Sequence, residues 1–481
     1  MKFFFLLICL FIALPCSGQQ RAPSSANSTD NPPPIPREFR AAWCAIVYNI
    51  DWPSRAGLAA ATQQAELVAI LDTMASLNMN ALIFQVRPES DAAYAGSTEP
   101  WSAWLTGKMG SHPGYDPLAF CLREAHQRGI EVHAWFNPFR ALANASKPAA
   151  ATHISRTHPQ LTTRYADSLW CDPSHAATRQ RALAAMHDVT KRYPVDGIHI
   201  DDYFYPYPKN GQAFPDGKTT VQRRAIVDAF VSEMYSSLKK IKPTLRVGIS
   251  PFGIWQPGVP TGTTAQLNAY EDLSCDARKW LANGWCDYMA PQLYWRIDGP
   301  QSYSLLLPWW RAQGTRPVWP GIATSRIKSA DDPSRPASEI IQQIEISRSS
   351  KTPSFIYPQG HIHWSVKAIM QNTDGIATKL RALYLSPALP PPMPWAGTAT
   401  PPPITFQVQR QTSNILIRLG KTDPTITKIV MQTRSKGQWK TEKITNPQSF
   451  PISIPAADTI ALTPVNAFGH TGTPQVKSLN K

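Results

Sequence analysis

A regular alternation of short apolar runs with amphipathic segments most constrains the fold of this chain. Eight runs are predicted as buried strands, at residues 39–47, 81–86, 131–136, 197–203, 246–251, 287–295, 318–324 and 354–357. Helical spacing of apolar residues predicts helices between them, at residues 64–77, 117–128, 178–191, 222–240, 274–282 and 337–347. This βαβ rhythm is typical of a parallel sheet, and eight strands favour closure into a (β/α)8 TIM barrel of the α/β class.

A proline-rich segment at residues 386–403 marks the end of this barrel, because proline continues neither a helix nor a central strand. Six short strands joined by polar turns follow, at residues 404–408, 414–419, 428–433, 438–444, 450–454 and 459–465. They predict a small all-β sandwich domain that serves as a spacer, a docking module or a lid. The predicted divisions are 1–18, 19–37, 38–395 and 396–481.

The first residues predict export. A charged start, an apolar run at residues 3–14 and then small residues are typical of a secretory signal, with cleavage after Gly18. Pro15 disfavours lipid attachment at Cys16, although an anchored form stays open as the alternative. A Ser-, Asn- and Pro-rich stretch up to residue 36 predicts a flexible or extended tether. The expected location is the periplasm or cell envelope of a bacterium, or the medium.

Charge and cysteine content narrow the class of protein. A formal net charge of +15 favours anionic surroundings such as envelope polymers. The cations are scattered and no recognition motif accompanies them, so nucleic acid is not a predicted partner. Five cysteines lie beyond the signal region, an odd and sparse set that predicts buried thiols rather than a disulfide framework or a zinc site.

Paired acids end the fourth predicted strand. Alternation along a strand sends Ile198 and Ile200 to one face and His199 and Asp201 to the other, so the polar pair faces the axis of a barrel. Asp201 and Asp202 then lie at the carboxyl end, where TIM-barrel enzymes have their active sites. We expect one of them to be a catalytic carboxylate and the other to fix a neighbour. A buried aspartate that only orders the loop is the alternative.

The second strand supplies another acid. Every second residue of a strand projects from the same face, so Gln85, Arg87 and Glu89 all face the barrel mouth if the strand extends that far. Glu89 is a candidate general acid, whose role requires a pKa raised by burial or by a nearby carboxylate. Arg87 is predicted to bind substrate, with a structural salt bridge as the alternative.

Aromatic and amide side chains at other strand ends suit a sugar, whose apolar ring faces stack on aromatic rings and whose hydroxyls bond to polar groups. The predicted substrate-binding residues are Arg87, His133, Trp135, Asn137, Arg140, His199, Tyr203, Gln292, Tyr294 and Trp295. Core packing alone also explains Trp135. These ligands, together with the acids, predict a polysaccharide substrate and a glycoside hydrolase.

No metal or cofactor is predicted. His361 and His363 have the spacing of two ligands on one strand face, but no third ligand accompanies them. Glycine-rich phosphate loops, nucleophile elbows and paired Cys-x-x-Cys motifs are absent from the sequence, which disfavours kinases, serine hydrolases and redox enzymes.

Six segments together resemble the glycosyl-hydrolase-like ten family of bacterial envelope proteins: 39–43 (FRAAW), 49–54 (NIDWPS), 84–88 (FQVRP), 133–138 (HAWFNP), 196–206 (DGIHIDDYFYP) and 290–295 (APQLYW). The resemblance extends over residues 37–395, and a fibronectin-type-III-like tail often follows in this family. It implies a (β/α)8 barrel and, in the characterised branch of the family, cleavage of peptidoglycan glycan strands stripped of their stem peptides. Residues 222–227 depart from the family pattern, since they keep an arginine pair without the tryptophan and asparagine expected around it.

The sequence therefore predicts an exported glycoside hydrolase acting on a cell-envelope polysaccharide, with peptide-free peptidoglycan glycan preferred. A catalytically silent glycan-binding barrel and a hydrolase of dietary or host polysaccharide are the alternatives. A likeness to family eighteen chitinases is weaker, because Tyr203 stands where their catalytic glutamate would be. Retention or inversion stays open, since it depends on a carboxylate separation of about 5 Å or about 6.5–9.5 Å.

Overall fold

The computed structural model of the protein describes residues 31–209, 211–349 and 359–479. Eight parallel strands form one curled sheet: β1 (Phe39–Cys44), β2 (Ala81–Arg87), β3 (Glu131–Phe136), β4 (Gly197–Ile200), β5 (Arg246–Ile249), β6 (Tyr288–Met289), β7 (Gly321–Ile322) and β8 (Gly360–His363). Their order is β7-β8-β1-β2-β3-β4-β5-β6. Parallel bridges from Met289 to Val318 and from Gln292 to Gly321 join the two end strands, so the predicted barrel is confirmed.

Eight helices accompany the strands in the described part of the chain: α1 (Ala60–Ser76), α2 (Pro117–Gln127), α3 (Ala176–Arg192), α4 (Thr220–Ile241), α5 (Ala277–Ala282), α6 (Tyr303–Arg311), α7 (Ala337–Ser349) and α8 (Ile376–Leu383). Shorter α-helices lie at Ala103–Thr106, Ile154–Thr157, Ala269–Asp272 and Val366–Met370. Single 3-10 segments lie at Val47–Asn49, Pro159–Leu161, Thr324–Arg326, Thr373–Gly375 and Pro447–Ser449.

Local sequence explains where the longer helices begin. Asp116 precedes α2 and accepts a hydrogen bond from the backbone N–H of Ala119, with Pro117 at the first helical position. Thr219 and Gln222 form a capping box at the start of α4. The sequence does not predict α6 or α8, because α6 carries Pro308 inside it and α8 is short.

The strands differ from their predicted bounds mainly on the closing side of the barrel. The sixth and seventh predicted strands, at residues 287–295 and 318–324, shorten to β6 and β7. The eighth predicted strand, at residues 354–357, lies outside the described residues, and β8 completes the sheet at Gly360–His363.

Aromatic rings fill the barrel axis. Phe39 stacks on Trp319 with ring centroids 4.1 Å apart, and Tyr288 lies 4.8 Å from the same Trp319 ring. Gly248 makes room for them, since a Cβ atom there would lie 2.0 Å from the Tyr288 ring. The opposite faces of the strands, such as Ile198 and Ile200, pack against the helices in a second apolar layer. The barrel is thus solid below its mouth.

A small antiparallel sheet follows β3. It consists of Arg140–Leu142, Ser168–Cys171 and Thr162–Tyr165, in that order across the sheet. Because it is inserted between β3 and α3, it stands at the carboxyl end of the barrel. The sequence pattern does not predict this sheet.

The C-terminal region is an antiparallel all-β domain. Its strands are β9 (Phe406–Arg410), β10 (Asn414–Leu419), β11 (Ile426–Ser435), β12 (Gln438–Thr445), β13 (Ile452–Pro455), β14 (Thr459–Asn466) and β15 (Gln475–Ser478). They form a three-stranded sheet, β9-β10-β13, and a four-stranded sheet, β12-β11-β14-β15. Apolar side chains of both sheets share one core cluster. The predicted all-β region is confirmed, with β15 as an additional strand.

This domain packs against the amino end of the barrel. Lys428 on β11 forms an ion pair of 2.6 Å with Glu131, the first residue of β3. The Thr445 hydroxyl on β12 donates to the carbonyl of Gln127, the last residue of α2, over 3.0 Å. The active-site end of a TIM barrel is the opposite one, so the lid alternative for this domain is wrong.

The end of the predicted tether is fixed to the folded protein. Arg37 donates to the carbonyls of Pro390 and Gly469 over 3.1 Å and 2.7 Å, and the side chain of Gln432 donates to the carbonyl of Pro33. The predicted signal and residues 19–30 lie outside the described residues. Within the described ranges, no helix is long and apolar enough to cross a bilayer.

All five cysteines beyond the signal region are buried free thiols, as predicted: Cys44, Cys121, Cys171, Cys275 and Cys286. Burial raises the pKa of each thiol, which disfavours the reactive thiolate.

Candidate active site

Asp201 lies at the carboxyl end of β4 and is 4% exposed. Its Oδ2 atom accepts a hydrogen bond of 3.1 Å from the indole N–H of Trp135 and a second from the amide of Asn137. Both donors follow from the parity of β3, which directs Trp135 and Asn137 inwards as the sequence predicts. The Oδ1 atom accepts one longer hydrogen bond, of 3.4 Å, from the backbone N–H of Tyr203, and it keeps a lone pair that can hold a proton.

Asp202 points away from Asp201. The Tyr207 hydroxyl donates to its Oδ2 atom, and the Gln292 side chain is its other hydrogen-bonding neighbour. Gln292 follows β6, whereas the partners of Asp201 follow β3. The two adjacent carboxyls therefore address different sides of the mouth, as strand alternation predicts.

Burial and, to a smaller extent, the nearby charge of Asp202 raise the pKa of Asp201 to about 7. Arg140 and the hydrogen bond from Trp135 act in the opposite direction on that pKa. Burial also raises the pKa of Asp202, against the hydrogen bonds from Tyr207 and Gln292. Two interacting buried carboxyls share protons, so one of the pair stays protonated at a pH where isolated aspartates are ionised.

A network of amides and a guanidinium holds the first carboxyl. The Asn137 Oδ1 atom accepts from the Gln85 side chain over 2.6 Å and from Arg140 over 2.9 Å. Gln85 in turn accepts from the backbone N–H groups of residues 46 and 47. The Arg140 guanidinium also lies over the Tyr203 ring, 5.0 Å from its centroid. These contacts fix the amide that donates to Asp201.

Aromatic side chains surround the mouth. Tyr203 and Tyr207 lie with ring centroids 5.6 Å apart. Trp364 contacts the Trp135 ring at 6.0 Å and the Tyr294 ring at 6.4 Å. Trp295, half-buried, packs on a neighbouring phenylalanine at 5.4 Å. The structure thus brings the predicted Trp135, Tyr203, Tyr294 and Trp295 to the same end of the barrel as the two aspartates.

Arg87 does not contribute a free guanidinium to the mouth. Its Nε and Nη2 atoms donate to the two carboxylate oxygens of Glu99 over 2.6 Å and 2.5 Å. The remaining N–H groups bond to the carbonyls of Asn137 and Pro138 and to the Ser90 hydroxyl. All five N–H groups are thereby used. Arg87 therefore forms a structural salt bridge with Glu99, which was the alternative interpretation, and its prediction as a substrate-binding residue is wrong.

A bulge in β2 explains this difference. Gln85 pairs with Trp135 and Arg87 pairs with Phe136, so two residues of β2 advance against one residue of β3. The alternation that would place Gln85 and Arg87 on one face is lost there. The strand persists as far as Arg87, but its last side chain leaves the mouth.

Glu89 lies in a separate network beside the mouth. Its Oε2 atom accepts from the indole N–H of Trp104 over 2.7 Å, and its Oε1 atom accepts from the backbone N–H of Ala143 over 2.5 Å. Its backbone N–H donates to Asp91. Burial and the charge of Glu89 raise the pKa of Asp91 to about 7. None of the described hydrogen bonds joins Glu89 to Asp201 or Asp202.

His133 and His199 lie below the mouth. Both are fully buried, and both bond to the Tyr288 hydroxyl, at 2.8 Å and 3.0 Å. His199 also lies within 3.2 Å of the Trp43 indole nitrogen and 3.1 Å of the Ser250 hydroxyl. Their inward direction agrees with the predicted parity. They fill the barrel axis, so their prediction as substrate ligands is corrected to a packing role.

His361 and His363 face outwards from β8. Each lies within hydrogen-bonding distance of the Tyr384 hydroxyl, which follows α8. Burial lowers the pKa of His361 to about 4 and that of His363 well below its usual value, so both are neutral. Across the described residues, no group of three His, Cys, Asp or Glu side chains is arranged to hold a metal ion.

Comparison with known proteins identifies the family of this chain. Residues 38–332 match the model of the family described as Glycosyl hydrolase-like 10. The chain belongs to this family. It is 38% identical over 407 residues to "Glycosyl hydrolase YngK" of Bacillus subtilis (strain 168), which covers 79% of each chain. It is 32% identical over 339 residues to "Glycosyl hydrolase DigH" of Escherichia coli (strain K12), which covers 63% of this chain and 76% of that one.

Solved structures show only distant likeness to this glycosyl hydrolase-like 10 protein. The PgaB (BpsB) glycoside hydrolase domain from Bordetella bronchiseptica is 12% identical, with a TM-score of 0.46, covering 72% of this chain and 98% of that one. The endo-1,4-beta-mannanase from Rhizomucor miehei is 11% identical, with a TM-score of 0.47, covering 74% and 99%. Neither likeness bears on function.

Several residues at the mouth of this glycosyl hydrolase-like 10 protein are absent from the sequence-based prediction. Trp364 is the aromatic centre of the rim; it directly follows β8, a strand that the sequence places at residues 354–357 instead. Tyr207 lies five residues beyond the aspartate that it contacts, where no strand parity applies. Tyr48 lies in the 3-10 segment Val47–Asn49 and Trp104 in the short helix Ala103–Thr106, and their ring centroids are 5.0 Å apart.

Proposed function

We propose that this protein is an exported glycoside hydrolase that cleaves a cell-envelope polysaccharide, with peptide-free peptidoglycan glycan strands as the preferred substrate. The observation that carries the hydrolase proposal is the buried Asp201, with a pKa of about 7, beside a second buried carboxyl within a ring of aromatic side chains. Glycoside hydrolysis requires a carboxylic acid that stays protonated near neutral pH and a second carboxylate.

Asp201 is the proposed general acid. Trp135 and Asn137 hold its Oδ2 atom, so the protonated Oδ1 atom has a fixed direction towards the oxygen of the leaving sugar. Asp202 and Glu89 are the two candidates for the second carboxylate, which acts as nucleophile or as base for water. The charge of Asp202 acts on the pKa of Asp201, but its carboxyl addresses another side of the mouth, so neither candidate is ranked first.

The substrate proposal depends on three observations. The sequence begins with a pattern typical of export, the net charge of +15 suits an anionic envelope, and the motifs resemble a family whose members act on peptide-free glycan strands. The mouth presents the indole and phenol rings that stack on sugar faces.

A panel of polymers tests this proposal. Purified protein is incubated with peptide-free peptidoglycan strands, intact peptidoglycan and chemically unrelated plant or host polysaccharides, and new reducing ends are measured. We expect release from the peptide-free strands first. Release of reducing ends only from one of the other polymers would contradict peptide-free glycan strands as the preferred substrate. Saturable binding to the strands without any release would favour the silent binding barrel.

A further inference from the structure

A cavity of about 580 Å³ lies beside the mouth, between the loops that follow β2 and β3. Its apolar wall includes Trp104, Met109 and Leu142, and Lys108 and Lys147 are its basic residues. Because both loops follow the carboxyl ends of their strands, the cavity opens on the active-site side of the barrel. It is large enough for a sugar residue.

The cavity has a positive rim. The Lys147 ammonium lies 3.8 Å from the centroid of the Trp104 ring, and both lysines are exposed. Among the residues that the structure describes, neither lysine forms an ion pair with a carboxylate. Glu89 is the one acid on the cavity lining, and its two oxygens already accept hydrogen bonds from Trp104 and Ala143. The cavity lining thus carries two lysine ammonium groups and one carboxylate, that of Glu89, which already accepts two hydrogen bonds.

Two contacts connect this cavity to the Asp201 site. Arg140 donates to Asn137, the amide bound to Asp201, and also to the carbonyl of Pro88, next to Glu89. Tyr48, which is 54% exposed, contacts the Trp104 ring of the cavity wall with ring centroids 5.0 Å apart. The cavity and the Asp201 site therefore lie at the same end of the barrel and have Arg140 as a shared neighbour.

We propose that this cavity is a subsite for a sugar residue that bears a carboxylate, with the sugar against Trp104 and Tyr48 and the carboxylate on Lys147. The inference rests on the proposed function, since it places the subsite next to the bond that is cleaved. An ammonium over an indole ring combines a charged contact for the carboxylate with an apolar surface for the ring.

Binding of matched glycans tests the subsite separately from catalysis. Peptide-free peptidoglycan strands carry a lactyl carboxylate on alternate sugars, and chemical reduction of these carboxyls to alcohols leaves the glycosidic bonds in place. Titration calorimetry measures the Kd of both strands for the wild type, Lys147→Gln and Lys147→Arg. Lys218→Gln is the matched control, since Lys218 is exposed and does not line the cavity.

We expect the wild type to bind the carboxylate strands about fivefold more tightly than the reduced strands, as one partly exposed ion pair allows. Lys147→Gln should lose this preference, whereas Lys147→Arg and Lys218→Gln should keep it. Equal binding of the two strands by the wild type, an unchanged preference in Lys147→Gln, or binding of neither strand would overturn the subsite. Reducing-end release from the reduced strands would still support the hydrolase in each of these cases.

Discussion

Removal of the indole N–H that bonds to Asp201 should shift the pH dependence of activity. Trp135→Phe keeps an aromatic ring at the mouth but removes the donor that lies 3.1 Å from Oδ2. This bond lowers the pKa of Asp201, because it favours the ionised form. A hydrogen bond to a charged group contributes about 1.5–3 kcal/mol and one to a neutral group about 0.5–1.5 kcal/mol. The difference of roughly 1 kcal/mol corresponds to about 0.7 pKa unit.

The assay is the pH profile of kcat/KM on peptide-free strands, from about pH 4 to about pH 9. A general acid must be protonated, so wild-type activity should fall as the pH rises through about 7, the pKa of Asp201. In Trp135→Phe this fall should occur about 0.7 pH unit higher. The control is Trp364→Phe, which changes a ring in contact with Trp135. If the fall in kcat/KM at high pH occurred at the same pH in Trp135→Phe as in the wild type, or at a lower pH, Asp201 would be refuted as the general acid.

Three further predictions concern stability. Asp201→Asn should raise Tm above pH 7 and change it little near pH 4. The folded protein keeps the Asp201 proton up to a pKa of about 7, whereas the unfolded chain releases it near about 3.9, so this carboxyl destabilises the folded state as the pH rises between these values. Arg87→Ala should lower the free energy of unfolding by about 3–5 kcal/mol in urea titrations, because it leaves Glu99 buried without its partner; a loss below about 1 kcal/mol would contradict a buried pair. Lys428→Met should lower the free energy of unfolding by about 1–3 kcal/mol, since it breaks the pair with Glu131, and leave kcat/KM unchanged; a fall in kcat/KM would contradict the placement of the C-terminal domain.

The sequence predicts those parts of the site that depend on strand parity. Residues 197–203 alternate regularly, and Asp201 accordingly faces inwards with His199 while Asp202 faces another side. The same holds for Trp135 and Asn137 on β3. Strand alternation predicts which face a side chain is on, but not how far below the mouth it lies. His199 faces inwards as predicted, but it lies too deep in the core to contact a substrate.

Contacts between distant segments account for what the sequence does not predict. A bulge of one residue in β2 turns the Arg87 side chain towards Glu99. The position of such a bulge cannot be predicted from a run of apolar residues. The C-terminal domain contacts the barrel through residues far apart along the chain, such as the ion pair between Lys428 and Glu131 and the hydrogen bond from Thr445 to Gln127. The rim around Trp364 depends on the curling of the sheet, which brings the end of β8 to the side chains of Trp43 on β1 and Trp135 on β3.

The most direct test of the central claim compares the wild type with Asp201→Asn in the release of reducing ends from peptide-free glycan strands. Both proteins are first shown to be folded by thermal melting, and Asp202→Asn and Glu89→Gln are assayed beside them to assign the second carboxylate. We predict release by the wild type and a loss of at least about a hundredfold in Asp201→Asn, the scale of a missing general acid. Wild-type rates in a folded Asp201→Asn variant would contradict the account.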